Sequence, residues 1–161
     1  MATKNKNLST YKEDSIPSGA SYKVAIVTSE WNEDITSSLH KGAKETLLKH
    51  GVRAINIKEV YVPGTFELAL GAQLIFEKSD IDGVICIGSV IQGETRHFDF
   101  VCEAAAHGIK DVGLKFSKAA IFCVLTDNTL QQAKDRSGGK HGNKGIEAAI
   151  ALLKMIHLQK S

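Results

Sequence analysis

The sequence predicts an α/β domain: helices packed on both faces of a four-stranded parallel sheet, a three-layer α/β/α arrangement. Three observations predict it. A chain of 161 residues with ordinary apolar and charged content can bury a core of its own without a disulfide or a metal. Four runs rich in Val and Ile recur along it, and three are almost continuously apolar, as strands buried on both faces must be. Segments with apolar residues at helical spacing separate these runs, which is the pattern of βαβ units.

Each element has its own justification. The first strand is expected over 22–29, and Ile35, Leu39, Ala43 and Leu47 then repeat at i, i+4. Asn32 stands where a helix cap belongs, and Gly51 stands just past the end. The second strand is expected over 52–60. Phe66, Leu70 and Leu74, with Ala69 and Ala72 beside them, mark the second helix. The third strand, 81–88, precedes a helix carrying Phe98, Val101, Cys102, Ala105 and Ile109. The fourth strand, 119–126, is followed by a short helical stretch at 129–136. The terminal helix carries Ile146, Ala149, Ile150, Leu153 and Ile156. Residues 1–20 are polar and end in Pro17-Ser18-Gly19, so they are expected to form a mobile arm ahead of a single domain at 21–161.

Charge and cysteine usage exclude several functions. Twenty Lys and Arg against 18 Asp and Glu leave +2, too even a balance for a nucleic-acid-binding face. The apolar runs are far shorter than a bilayer span, and the first 20 residues lack a secretory h-region, so no membrane role and a cytoplasmic location are expected. Cys86, Cys102 and Cys123 are odd in number and lack C-x-x-C spacing. They read as buried apolar residues in a reducing compartment, with no metal site.

Ligands of open parallel sheets bind beyond the carboxyl ends of the strands, which selects the loops at 30–32, 61–67, 89–98 and 127–128. Gly88-Ser89-Val90-Ile91-Gln92-Gly93-Glu94-Thr95 has the frame of a phosphate loop, but glutamate replaces the lysine and disfavours a triphosphate. Backbone N–H groups at the following helix start would still suit one phosphate, unless the glycines merely turn the chain. His97 just inside that helix suits proton transfer, against a structural or solvated role. Trp31, the one tryptophan, either stacks on a flat heterocycle or packs under its loop. Pro63-Gly64 forces a turn that aims Glu67 at the crevice. Between Arg136 and Gly145 lies a glycine-rich basic loop, either a phosphate grip or a solvated segment.

Taken together, Glu30-Trp31-Asn32, Val62-Pro63-Gly64-Thr65-Phe66-Glu67, the run from Gly88 to Phe98, and Gly142-Asn143-Lys144-Gly145 resemble the lumazine synthases. The resemblance covers about residues 21 to 158 and implies a flavodoxin-like fold with sheet order 2-1-3-4. It further implies condensation of 5-amino-6-(D-ribitylamino)uracil with 3,4-dihydroxy-2-butanone 4-phosphate, without metal or organic cofactor. Trp31 would stack on the pyrimidine; Thr65, Phe66 and Glu67 would hold the ribityl chain; Ser89, Val90 and Ile91 would line the ring edge. Glu94 and Thr95 would offer amides to the phosphate, joined by Arg136 and Lys144, and His97 would move the proton. Phe122 would reach across from a neighbouring subunit, because sites of such enzymes lie between subunits of a pentamer. The same resemblance implies a pentamer or a cage of sixty subunits, and a riboflavin synthase as partner.

Two rival readings follow from the same residues. A riboflavin synthase of the archaeal type would need no phosphate-side set, which Glu94, Thr95, His97 and Arg136 supply here. A non-catalytic flavin-binding or shell-forming protein would bind or assemble without forming product.

Overall fold

The computed structural model describes residues 9–161; the first eight residues of the expected arm lie outside the described residues. The strands are β1 (Val24–Ser29), β2 (Ile57–Val62), β3 (Gly83–Ile91) and β4 (Ala119–Asp127). All pair in parallel in the order β2-β1-β3-β4, as expected. The helices are α1 (Glu33–Lys49), α2 (Leu68–Lys78), α3 (His97–Phe116), α4 (Leu130–Arg136) and α5 (Lys144–Lys160). Two very short strands, β5 (Ser137–Gly139) and β6 (Gly142–Asn143), form an antiparallel hairpin between the last two helices.

Alternation along the central strands divides the core in two. Val24, Ile26, Ile85 and Ile87 point to the face covered by α1 and α5, where Leu39, Leu47, Leu152 and Leu153 are fully buried. Ala25, Val27, Val84 and Cys86 point to the opposite face, against Leu68, Ala72 and Ile75 of α2 and Ile109 and Val112 of α3. Both faces of β1 and β3 are therefore dry, which explains their unbroken apolar sequences.

Several elements depart from the sequence expectation. β2 starts at Ile57 rather than at residue 52, because α1 ends in a Schellman turn. Gly51 sits at φ +93°, Gly51 N donates to Leu48 O, and Val52 N donates to Leu47 O, so buried Val52 closes the helix end. A 3₁₀ turn (Ala54–Asn56) then leads into the strand. β3 continues through Ile91, its last three residues pairing with Leu125, Thr126 and Asp127. The loop at 89–98 thus shrinks, and the expected phosphate-loop frame is half strand.

The stripe chosen for the second helix is also corrected. Phe66 precedes α2 in a 3₁₀ turn (Thr65–Glu67), and Phe66, Leu70 and Leu74 are all exposed. The helix is apolar on both sides and buries the Leu68, Ala72, Ile75 face instead. Cys102 is only half-buried, whereas Cys86 and Cys123 are fully buried as expected. The basic loop is not a loose segment, since the β5–β6 hairpin folds it and buries Ser137 and Asn143.

Residues 9–20 contact the end of α1 and the start of α5. Tyr11 Oη lies 3.1 Å from His50 Nε2, Glu13 pairs with Lys49, and Ser9 Oγ donates to Asn143 O at 3.0 Å.

One polar chain runs from the buried contact of β1 and α1 out to the exposed side of β2. Thr28 Oγ1 lies 2.8 Å from His40 Nδ1, His40 Nε2 lies 2.5 Å from Glu59 Oε2, and Lys44 Nζ donates to Glu59 Oε1 at 2.8 Å. Tyr61 stacks on the His40 ring at 5.8 Å between centroids. The hydrogen bond and charge of Lys44, with help from His40, hold the Glu59 carboxyl below the usual glutamate range. A carboxyl depressed on folding stabilises the fold above its ordinary range and loses that contribution as pH falls through its folded value. Glu59→Gln should therefore lower stability by about 1 kcal/mol near neutral pH. The gap between variant and parent in urea midpoint should close as the series is acidified below the ordinary glutamate range. A gap that stays constant across the series would mean that ionisation of Glu59 does not contribute to stability, and no gap at all would mean that Glu59 acts by shape alone.

Candidate active site

The carboxyl ends of β1, β2 and β3 open into a cleft of about 670 Å³. It is lined by Trp31 and Asn32 after β1; Gly64, Thr65, Phe66 and Glu67 after β2; Ser89, Val90 and Ile91 at the end of β3; and His97 and Val101 on α3. Eight of the expected site residues therefore share one cleft although they come from three separated motifs.

Local geometry explains how the walls are held. Glu30 N donates to Val62 O at 2.9 Å, tying the loop after β1 to the end of β2. Asn32 does not cap α1 with its side chain as expected. It adopts a left-handed conformation (φ 58°), which asparagine tolerates, and its amide donates to Ser89 O at 2.8 Å. That bond joins the loop carrying Trp31 to the strand carrying the ring-edge residues. Trp31 is 73% exposed and Phe66 61%, so neither is packed under a loop. Thr65 by contrast is buried and anchors its turn. Ser89 Oγ is buried without a hydrogen-bond partner among the described residues, an unused polar group on the cleft wall.

His97 opens α3 with an exposed side chain, and its backbone N–H donates to Thr95 Oγ1 at 3.4 Å. Glu94 and Thr95 are exposed in the short loop ahead of it, beside the cleft rather than lining it. The N-terminus of a 20-residue helix is thus presented next to the cleft, with the positive end of its dipole outward.

The remaining expected residues lie elsewhere on the protomer. Phe122 on β4 lines a different groove of about 430 Å³ between α3 and α5, beside Leu114 and Met155. Arg136, the last residue of α4, and Lys144, the first of α5, both pair with Glu147. Arg136 Nη1 also donates to His141 O at 3.1 Å. Asp127, at the end of β4, has its carboxyl raised by burial, partly offset by Arg136, and its buried Oδ2 has no partner among the described residues. Burial also raises the Cys123 thiol to about 12, which leaves it an inert core group.

The sequence reading missed Gly64 and Val101 as lining residues, and it missed Glu147 altogether. Glu147 had a signal, because it stands three residues after Lys144 on a predicted helix, the spacing of a side-chain pair. Among the described residues no cluster of three or more His, Cys, Asp or Glu is placed to hold a metal ion, and no helix is long and apolar enough to cross a membrane.

Comparison with known proteins gives these features a common context. The family model of 6,7-dimethyl-8-ribityllumazine synthase matches residues 21–160. A 6,7-dimethyl-8-ribityllumazine synthase of Cytophaga hutchinsonii is 57% identical over 156 residues, covering 97% of this chain and 98% of that protein. The enzyme of the same name from Flavobacterium johnsoniae is 52% identical over 160 residues, covering 99% of this chain and 84% of that protein. That from Porphyromonas gingivalis is 47% identical over 160 residues, covering 99% of both. With the motifs, the sheet order and near-complete coverage in agreement, the chain belongs to the 6,7-dimethyl-8-ribityllumazine synthase family.

Proposed function

We propose that the cleft is one half of an active site that condenses 5-amino-6-(D-ribitylamino)uracil with 3,4-dihydroxy-2-butanone 4-phosphate to 6,7-dimethyl-8-ribityllumazine, phosphate and water, and that a neighbouring copy supplies the other half. The observation that carries this reading is the convergence of Trp31, Thr65–Glu67, Ser89, Val90, Ile91 and His97 on one cleft. Trp31 offers an exposed aromatic face to the pyrimidine. Phe66 and Glu67, with the turn anchored by Thr65, face the ribityl chain. Ser89 to Ile91 lie along the ring edge, where strand backbone and the unpaired Ser89 hydroxyl supply polar contacts.

The chemistry asks little of the protein beyond this. The substrate's own amine attacks the ketone, so no protein nucleophile is required. Holding the two reactants in register can remove about 7–11 kcal/mol of barrier in favourable cases. His97 then serves proton transfer, and the start of α3 with Glu94 and Thr95 faces the phosphate.

Phe122, Arg136 and Lys144 lie outside the cleft of their own protomer, and this supports a site completed by a second copy. The exposed stripe of Phe66, Leu70 and Leu74 and the apolar groove around Phe122 and Leu114 support association with further copies. The assembly we propose is a pentamer, or a cage of sixty such chains, in the cytoplasm with a riboflavin synthase as its partner. Native mass measurement distinguishes five from sixty chains of 17.4 kDa.

The test mixes the purified protein with both substrates and follows lumazine absorbance against a control without protein. Acceleration over the spontaneous condensation is expected; binding without acceleration would favour the non-catalytic reading. In the same assay, Arg136→Ala should raise KM for the butanone phosphate about tenfold through loss of a charge-assisted contact, with little change for the uracil substrate. Equal weakening of both substrates would contradict the phosphate role.

A further inference from the structure

We propose that Glu147 is a positioning residue for the phosphate end of this reaction, acting as the common clamp on Arg136 and Lys144. The proposal rests on the reading that these two cations serve the phosphate. Arg136 Nη2 lies 3.1 Å from Glu147 Oε1, and Lys144 Nζ lies 3.2 Å from Glu147 Oε2, so each carboxylate oxygen takes one cation. All three side chains are mostly buried, with exposures of 19% for Arg136, 31% for Lys144 and 20% for Glu147, so the arrangement is shielded from solvent and salt in a way surface pairs are not.

The clamp leaves donors free. A guanidinium has five N–H groups, of which Glu147 and His141 O engage one Nη each, and an ammonium has three, of which Glu147 engages one. The unused donors remain for an anion, while both cations are tied to the same carboxylate. With one carboxylate between two cations the cluster keeps a single net positive charge, so an incoming phosphate is attracted while neither cation drifts.

The elements carrying the cluster are themselves fixed. Asn143 Oδ1 accepts from Gly145 N at 2.8 Å and caps α5, and Arg136 closes α4. Without Glu147, two like charges would face each other across the hairpin. Arg136 would then have an alternative partner in Asp127, whose buried Oδ2 is unpaired among the described residues and whose carboxyl already feels the guanidinium. Glutamine in place of Glu147 keeps the shape but removes the negative charge and turns one of the two oxygens into a donating NH2, so one of the two cations faces a donor instead of an acceptor.

The experiment compares the full chain with Glu147→Gln, Glu147→Asp, Arg136→Ala and the Glu147→Gln/Arg136→Ala double variant in steady state at constant ionic strength, with inorganic phosphate as inhibitor. Glu147→Gln should raise KM for the butanone phosphate and the inhibition constant of inorganic phosphate about tenfold each, with KM for the uracil substrate and kcat within twofold. Glu147→Asp, which restores the charge, should recover part of the loss, and in the Arg136→Ala background Glu147→Gln should cost less than it does in the parent, the remainder being its hold on Lys144. Unchanged or tighter phosphate binding in Glu147→Gln, or a rise shared equally by both substrates, would overturn the clamp. If Arg136→Ala weakens phosphate and Glu147→Gln does not, the clamp alone falls. If Arg136→Ala leaves phosphate unaffected, the assignment of Arg136 falls with it.

Discussion

Gly145→Ala should lose about 3 kcal/mol or more of stability, the upper end of what overpacking costs, because nothing around the site can yield. Gly145 lies in the first turn of α5, and a Cβ there would fall inside the van der Waals envelope of the Leu39 carbonyl oxygen on α1. The obstructing atoms are backbone, with the Asn143 cap oxygen on the other side, so relief requires α1 and α5 to separate. Separation would open the face where Leu39, Ala43, Leu47, Ala148, Ala149 and Leu152 are fully or almost fully buried. A fall in Tm of roughly 6–12 °C is expected for a domain of this size. Gly93→Ala is the control, since a Cβ at Gly93 meets nothing within 4 Å, and its Tm should be nearly that of the parent. Similar melting of the two variants would show that the α1–α5 approach is soft. The site should register the same strain, because Lys144 immediately precedes Gly145 and Arg136 pairs with Glu147 two residues after it.

The architecture was legible because its signals are periodic. Unbroken apolar strands separated by helical repeats force a covered parallel sheet, and Gly51 past α1 marks the turn that does end it. Boundaries failed where tertiary contacts override local pattern. Val52 looks like strand but serves as the apolar closure of a Schellman turn, and Ser89 to Ile91 look like loop but pair with β4 to its end. The stripe of Phe66, Leu70 and Leu74 failed for a more instructive reason. Periodicity identifies an apolar face without stating what covers it, and α2 has two such faces, of which its own sheet takes only one.

Site legibility followed the same division. Residues at the ends of β1, β2 and β3 line the crevice that the rule for open parallel sheets selects from topology, whereas Glu94 and Thr95 stand beside it and the loop after β4 does not line it. Asn32 was found in the right place with the wrong partner, because a capping residue and a left-handed bridge to Ser89 present the same local sequence. Where Phe122, Arg136 and Lys144 lie relative to the cleft depends on chain packing, and Glu147 matters only because the β5–β6 hairpin brings the end of α4 against the first turn of α5.

His97→Ala should lower kcat about 10²-fold while leaving the fold intact, the lower end of the usual range for a positioned acid–base group. The lower end is expected because the cleft is open and its histidine exposed, so water can replace part of the proton transfer. Stability should be unaffected, since the side chain is solvent-facing and the bond that ties His97 to Thr95 Oγ1 comes from the backbone N–H, which alanine keeps. The effect should fall on kcat rather than on KM, because the proposed function leaves orientation of the two substrates to Trp31, the turn at Thr65, the β3 edge and the phosphate-side cations. The spontaneous condensation must be subtracted at each substrate concentration, since it sets the floor of the measurement. His97→Gln separates two roles that alanine cannot, because glutamine keeps a hydrogen-bonding group at the helix start but transfers no proton. Equal impairment of the two variants assigns His97 to proton movement. If His97→Gln retains most of the parental turnover, the residue contributes a hydrogen bond that orients substrate, and the proton must travel through the substrates and bound water.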